Sequence, residues 1–252
     1  MTGLGQAEPS RGTSPRPRLD HPTGVPGRGR GLVPSPADDR TARQQVSQTA
    51  GKIEAVVFDV GKVLFDWDMR LLIRKLIADE AEVEHVFAHV VSVDWHFQHD
   101  AGVPLAEMVP ARIAEFPQYE AVIRAYSTRF NETIPGPLPG SLELVEELHA
   151  RGVPLYAITN FGADLWPAFS ATQPVFGRFR DVVVSGVEKI AKPDPAIYRL
   201  AERRFGHAPQ AMLFIDDNRD NVEAARACGW EAHHFADAAT LALDLRQRGL
   251  IG

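Results

Sequence analysis

The stretch that decides the fold is IEAVVFDVGKVLFDWD, residues 53–68, in which an unbroken apolar run ends on an aspartate. The apolar residues before Asp59 predict a short strand buried on both faces, which is typical of parallel sheets. Because open α/β sheets bind ligands at the carboxyl ends of their strands, this strand places Asp59 at a functional edge. Gly61 then allows a sharp turn or a close approach to a ligand.

From residue 140 onward, short apolar runs alternate with segments of helical spacing. The runs predict strands at 155–158, 182–184, 212–215 and 231–235, and the segments between them predict helices at 141–150, from about 164, at 195–205, at about 221–228 and at about 238–248. This alternation predicts an α/β fold in which a parallel sheet carries helices on both faces, a Rossmann-like three-layer α/β/α core.

An insertion is predicted between the first and second strands. Four segments there have apolar residues on one helical face, at 71–79, 83–93, 104–115 and 119–130. A Pro-rich stretch at 134–140 follows them and suits a return hinge. We therefore expect a catalytic core formed by residues 51–66 and 140–252, with a helical insertion at 67–139.

The N-terminal residues have a different composition. Residues 1–50 contain seven Pro and seven Gly and have little apolar periodicity, so we predict a disordered tail. The first 52 residues contain eight Lys and Arg against four Asp and Glu, although the whole chain of 252 residues has a net charge of −6. The remaining body is therefore acidic, which argues against broad nucleic-acid binding.

Composition also bounds the setting of the protein. Cys228 is the single cysteine, which excludes an intrachain disulfide and a cysteine-based zinc cluster. A reducing cytoplasm is the expected location. No apolar segment reaches the roughly 18 to 20 residues that span a bilayer, so we expect no membrane association. We also expect a monomer or homodimer.

Three later segments add chemistry near predicted strand ends. Residues 157–160, AITN, end a strand with a hydroxyl; residues 190–193, IAKP, place a lysine before a helix; and residues 213–217, LFIDD, end a strand with paired carboxylates. Adjacent carboxylates make a strongly negative pocket, which a bound cation would stabilise.

Together with Asp59, these segments resemble, in order, the four motifs of the haloacid dehalogenase-like hydrolase superfamily, over roughly residues 52 to 235. The resemblance implies that Asp59 is a nucleophile and that Thr159, Asn160 and Lys192 contact phosphate. It also implies that the inserted helices form a cap over the active site. The implied Mg²⁺ ligands are the Asp59 carboxylate, the Gly61 carbonyl and Asp217, with Asp216 in or just outside that shell.

One position departs from the pattern, because phosphatases of this superfamily usually carry a second Asp where this chain has Gly61. A glycine there resembles a subgroup of bacterial sugar-1-phosphate phosphatases, and Asp59 to Val63 look most like that subgroup. The missing carboxyl would act as a general acid, so Asp66, Asp68 or His96 are candidates to replace it.

A polar-aromatic cluster in the insertion supplies candidates for substrate contact. Trp95 and His96 are expected to contact the leaving group, with His99 and Asp100 nearby, although a solvated helix end fits this sequence equally well.

The sequence thus predicts a Mg²⁺-dependent phosphatase that acts on a small phosphorylated metabolite, a sugar phosphate among the candidates, through an aspartyl-phosphate. A 2-haloacid dehalogenase using the same nucleophile and a catalytically silent binding module are the alternatives. The retained pair Asp216 and Asp217 favours phosphate chemistry, because dehalogenases of this branch typically have uncharged residues there.

Overall fold

A computed structural model describes residues 52–252; the predicted disordered tail at 1–50 lies outside the described residues. Five strands form one parallel sheet, in the order β3-β2-β1-β4-β5. The strands are β1 Ala55–Phe58, β2 Leu155–Thr159, β3 Asp181–Val184, β4 Met212–Asp216 and β5 Glu231–His234. Because β1 lies between β2 and β4, the residues that follow these three strands emerge side by side.

Eleven α-helices occur in residues 52–252. Five precede β2 within the insertion: α1 Arg70–Ile73, α2 Glu80–His89, α3 Val93–Asp100, α4 Leu105–Glu115 and α5 Glu120–Arg129. The others are α6 Ser141–Ala150, α7 Trp166–Ser170, α8 Ser185–Glu188, α9 Pro195–Phe205, α10 Arg219–Ala227 and α11 Ala238–Gln247. Short 3₁₀ turns lie at Pro117–Tyr119, Phe130–Thr133, Pro174–Arg178 and Pro209–Ala211.

The helix predicted over residues 83–93 is wrong at its end. The observed helix ends at His89. Ser92 then has an extended backbone, and its side chain caps a separate helix by accepting a hydrogen bond of 3.2 Å from Trp95 N. Serine is a strong N-cap residue, so the break has a local cause. The first predicted helix, over 71–79, is also shorter, with only Arg70–Ile73 in helical form.

The sheet buries both of its faces. Alternate residues of β1 point to opposite sides, so that Ala55 and Val57 join a core cluster with α9 and α10. Val56 and Phe58 join a second cluster, which includes the apolar faces of α6 and α11. The expected Rossmann-like three-layer core is therefore confirmed.

Helix α3 is fixed over the carboxyl edge of the sheet. Ser185 Oγ donates a hydrogen bond of 2.6 Å to the carbonyl of Asp100, at the end of this helix. His99 packs directly over Gly162, where an added Cβ would lie 1.8 Å from the imidazole Cδ2. A glycine is required there because any side chain would push α3 away from the sheet.

The division into a core and a cap at 67–139 stays a prediction. Within residues 52–252, no helix has both the length and the apolar character needed to cross a bilayer.

Candidate active site

Three carboxylates meet at the centre of the sheet edge. Asp59 directly follows β1, Asp216 ends β4, and Asp217 comes next in the chain. Because β1 and β4 pair in parallel with Phe58 opposite Ile215, the two strands end at the same level. One oxygen from each of the three carboxylates lies within 4.8 Å of the others. Register alone therefore assembles an acidic cluster from residues far apart in sequence.

Lys192 supplies the positive charge of this cluster. Its ammonium Nζ lies 2.8 Å from Asp59 Oδ1 and 2.6 Å from Asp216 Oδ2, with only 1% of the side chain exposed. Buried charges are costly unless they are paired and hydrogen-bonded. One ammonium faces three carboxylates, and the oxygen ligands that these carboxylates supply suit a divalent cation.

The pKa values in the cluster follow from burial and from these charges. Burial raises the pKa of Asp59 to about 7 against the opposing effect of Lys192, and the nearby Asp216 adds to the rise. Burial also raises the pKa of Asp217, again with help from Asp216. For Lys192, burial disfavours the charged form, but Asp216 and Asp59 outweigh it and raise the pKa. The lysine therefore stays protonated.

Hydrogen bonds from α10 hold Asp216 in place. The Asn221 amide donates to both of its carboxylate oxygens, at 3.0 and 3.1 Å, and Asn218 N donates to Oδ1 at 2.8 Å. Sequence reasoning missed Asn221. Its position in the first turn of the helix after the paired aspartates was the signal that could have identified it.

Asn160 holds the backbone of Lys192. Its Nδ2 donates to the Lys192 carbonyl at 2.9 Å, and its Oδ1 accepts from Lys192 N, also at 2.9 Å. Both ends of the amide are therefore committed to positioning the lysine, and the expected contact between Asn160 and phosphate stays a prediction. Thr159, the last residue of β2, is 1% exposed and does not line the cavity, so its catalytic role also stays a prediction.

A cavity of about 250 Å³ opens from this cluster toward the inserted helices. Asp59, Gly61, Asn160, Lys192 and Asp217 line its sheet end. Nine of the other fifteen lining residues are apolar: the aromatic Phe65, Trp67, Phe97, Phe130, Phe161 and Phe169 and the aliphatic Val60, Val93 and Ile134; the polar ones are Lys62, Asp66, His96, Asp100, Asn218 and Asn221. The cavity therefore joins a charged end to a largely hydrocarbon end.

The structure does not bring Trp95 to this cavity. Trp95 is buried and packs edge-on against Tyr126, with ring centroids 4.8 Å apart. Val93 and Phe97, one helical turn apart, occupy the face of α3 that lines the cavity, and Trp95 lies two residues from each, on the other side. His96 does line the cavity, and its contact with the substrate stays a prediction.

The candidate replacement acids are engaged elsewhere. Asp66 accepts a hydrogen bond of 2.6 Å from Lys62, which lowers the pKa of this carboxyl. One nitrogen of His96 hydrogen-bonds the Tyr126 hydroxyl, and the other lies 3.2 Å from Asp100 Oδ2. Asp68 accepts from Arg70 N at 2.9 Å and does not line the cavity. In this arrangement none of the three presents a free acidic proton to the cavity.

Gly61 lines the cavity next to the nucleophile candidate. A Cβ built at this position would meet no atom within 4 Å. Packing therefore does not impose the glycine, and there is room at this position for a side chain to begin.

The parallel sheet and the carboxylate–lysine cluster at its edge define a Rossmann-like α/β protein with the features of an active site. The model of a family described as haloacid dehalogenase-like hydrolase matches residues 53–229. The chain therefore belongs to the haloacid dehalogenase-like hydrolase family, and the resemblance expected from its motifs is confirmed.

Relatives by sequence include two phosphatases. The chain is 26% identical over 203 residues to a sesquiterpene phosphatase of Aspergillus oryzae, covering 77% of this chain and 95% of that protein. It is 34% identical over 96 residues to a phosphoglycolate phosphatase of Escherichia coli, covering 36% of each. The second match thus spans about a third of that relative's length.

Solved structures share the fold at low sequence identity. A HAD family enzyme of Bacteroides thetaiotaomicron, solved with magnesium and inorganic phosphate, has a TM-score of 0.59 at 20% identity, covering 75% of this chain and 98% of that one. An L-2-haloacid dehalogenase of Xanthobacter autotrophicus has a TM-score of 0.54 at 19% identity, covering 77% and 83%. At these identities, the likeness shows the fold alone.

Proposed function

We propose that this hydrolase is a Mg²⁺-dependent phosphatase that cleaves a small phosphate monoester through an aspartyl-phosphate at Asp59. The observation that carries the proposal is the buried Lys192 ammonium within a cluster of three carboxylates, Asp59, Asp216 and Asp217. The two phosphatase relatives, and the magnesium and phosphate bound to the Bacteroides enzyme, support the same chemistry.

In the proposed reaction, an Asp59 carboxylate oxygen attacks phosphorus, the bond from phosphorus to the ester oxygen breaks, and the departing alkoxide takes a proton from water to become the alcohol. Water then hydrolyses the acyl phosphate, which releases inorganic phosphate and restores the carboxylate. Lys192 holds Asp59 in position through its hydrogen bond and faces the incoming phosphate with a positive charge. Thr159 donates its hydroxyl to a phosphate oxygen in this proposal.

The groups that would hold Mg²⁺ are the carboxylates of Asp59 and Asp217, the carbonyl of Gly61 and, directly or through water, Asp216. The bound ion would neutralise charge on the phosphate. Three carboxylates with one oxygen each within 4.8 Å of the others make these residues a fitting set of ligands.

A haloacid dehalogenase is a weaker candidate. That reaction attacks carbon without a metal, and it gives no role to the extra negative charge of Asp217 beside Asp216. A catalytically silent module would likewise have no use for a protonated lysine held against a buried Asp59.

A panel assay with phosphate esters and 2-haloacids tests these choices, with phosphate and halide measured separately. We expect phosphate release that requires Mg²⁺, and we expect Asp217→Asn to lose most of this activity without unfolding. Asp220→Asn, on an exposed residue that does not line the cavity, is the matched control. Full phosphate turnover in excess chelator would overturn the metal requirement, halide release would favour the dehalogenase, and neither product would favour the silent module.

The cytoplasmic setting, the monomeric or homodimeric state, the lack of nucleic-acid binding and the helical cap at 67–139 stay predictions of this proposal.

A further inference from the structure

We infer that the leaving group of the substrate is a hydrocarbon: the site is built for phosphate esters of apolar alcohols, not for sugar phosphates or other polyhydroxylated metabolites. This inference rests on the proposed phosphatase function and names its substrate class.

The first argument is the chemistry of the cavity wall. Beyond the charged cluster, the surfaces that face a leaving group are mainly aromatic, with Trp67, Phe97 and Phe130 among them. A hydroxyl moved from water into such surroundings loses its hydrogen bonds, and the cost grows with each unpaired hydroxyl. A sugar would bring several hydroxyls, whereas a hydrocarbon would gain by leaving water.

The second argument is that several polar groups of this wall already have partners within the protein. His96 hydrogen-bonds Tyr126 and lies against Asp100, and Lys62 pairs with Asp66. Within residues 52–252, Trp67 Nε1 and Asp100 Oδ1 have no hydrogen-bond partner, but both atoms are buried and have almost no contact with solvent. The cavity therefore offers few free partners to a sugar hydroxyl.

The third argument is an apolar rim at the mouth of the cavity. Val93 and Phe97 stand one turn apart on α3, line the cavity, and remain 47% and 42% exposed. They are two of the five large apolar side chains that are exposed in residues 52–252. Their exposure leaves apolar area that a hydrocarbon chain leaving the cavity would cover.

The size of the cavity indicates how the ester fits. The cavity of about 250 Å³ far exceeds the roughly 10 to 15 Å³ that one water molecule needs. In the proposed reaction the phosphate occupies its charged end, next to Asp59 and Lys192. The part left admits a short hydrocarbon segment next to the ester oxygen, and a longer chain would continue over Val93 and Phe97.

Esters of primary alcohols test the inference without a difference in leaving-group chemistry. We expect the wild-type enzyme with Mg²⁺ to hydrolyse hexyl and benzyl phosphate with kcat/KM at least roughly tenfold above that for glucose 6-phosphate, mainly through a lower KM. Equal values, or a preference for the sugar ester, would overturn the inference and leave the phosphatase proposal standing. Absence of phosphate release from every ester would instead overturn the proposed function, and the inference with it.

Variants of the rim locate the preference. Phe97→Ser should raise KM for hexyl phosphate by roughly tenfold and reduce the preference over glucose 6-phosphate, since an exposed apolar contact is lost. Val93→Thr should do the same to a smaller extent and serves if the first variant does not fold. Leu243→Ser, 59% exposed on α11 and away from the cavity, is the matched control and should leave both values unchanged. An unchanged preference in folded Phe97 and Val93 variants would contradict the role of the rim.

Discussion

The two ends of the cavity are built in different ways. At the sheet end, the carboxyl groups of Asp59 and Asp216 are buried, and each is paired with the buried ammonium of Lys192. At the helical end, Val93 and Phe97 are apolar and partly open to solvent. The first end depends on the register of three adjacent strands, and the second on how one inserted helix is rotated.

This difference separates two tasks. Strand register positions the charged cluster, and additional hydrogen bonds, such as the one from Asn221 to Asp216, hold it in place. Removing one charged partner from such a buried cluster leaves the other charge unpaired, which lowers stability. An exposed apolar rim contributes little to folding, so its residues can vary with the ligand. We therefore expect substitutions at the sheet end to alter reaction and stability, and substitutions at the rim to alter substrate choice.

The largest effect should come from the nucleophile. Asp59→Asn keeps the shape of the side chain but removes the attacking charge, so phosphate release should fall by roughly a thousandfold or more. Stability should not fall, because burial disfavours the Asp59 charge. Phosphate assays and thermal unfolding of the same preparation check both statements. A folded variant that retains a tenth of the activity would exclude Asp59 as the nucleophile.

The next effect tests the charge balance of the sheet end. Lys192→Met keeps much of the side-chain volume but leaves Asp59 and Asp216 without their shared cation, which should cost about 3 to 5 kcal/mol of unfolding free energy. Chemical denaturation without metal measures this loss. Lys75→Met, in an exposed ion pair with Glu132, should lower stability far less, because solvent weakens exposed ion pairs. Similar losses in both variants would show that the buried lysine is not the main support of the cluster.

A smaller gain of activity is expected at the point where the two ends meet. Gly61→Asp would introduce a carboxyl where a Cβ meets no atom within 4 Å, so a general acid can be added there. We expect hydrolysis of alkyl esters to rise by roughly tenfold or more, with little change for aryl esters, whose leaving groups need less protonation. Wild-type rates should therefore depend steeply on the leaving-group pKa. If the chemical step limits the rate and hydrolysis depends on the leaving-group pKa equally in wild type and variant, the wild-type enzyme lacks no general acid.

The smallest effect concerns residues 1–50. Both ends of the cavity lie within residues 52–252, and the composition of the N-terminal stretch predicts no contribution to a packed core. Deleting residues 1–50 should leave the melting temperature and the specific activity essentially unchanged. Calorimetry and a phosphate assay check this prediction, and a cooperative loss of stability would contradict it.

Much of the sheet end could be predicted from sequence, because its information is local. Each strand is a short apolar run, and the acidic residues come directly at or after its end, so strand order and parallel pairing place Asp59 beside Asp216 and Asp217. The position of Lys192 depends less on local sequence. Its position depends on Asn160, whose amide was expected to face phosphate and instead holds the Lys192 backbone.

The helical end could not be predicted in the same way. One helix ends at His89, and Ser92 caps the start of the next one, α3, whose Val93 and Phe97 line the cavity. The sequence predicts a contact between Trp95 and the substrate. In the structure, Trp95 lies away from the cavity, and Phe97 and Trp67 line it instead. Helical periodicity identifies an apolar face but does not say which neighbouring element covers it. On α3, the apolar side chains of Val93 and Phe97 remain partly exposed to solvent.

The paired hydrogen bonds between Asn160 and the Lys192 backbone also bear on how such a chain can change over time. They tie together two points that are 32 residues apart, so the stretch between them forms a closed loop anchored on the sheet. Insertions or deletions at its surface turns, outside β3, change the length of that loop without moving its anchor points. The position of the lysine therefore does not depend on the length of those surface turns, whereas α7 itself is constrained, because its buried Phe169 lines the cavity.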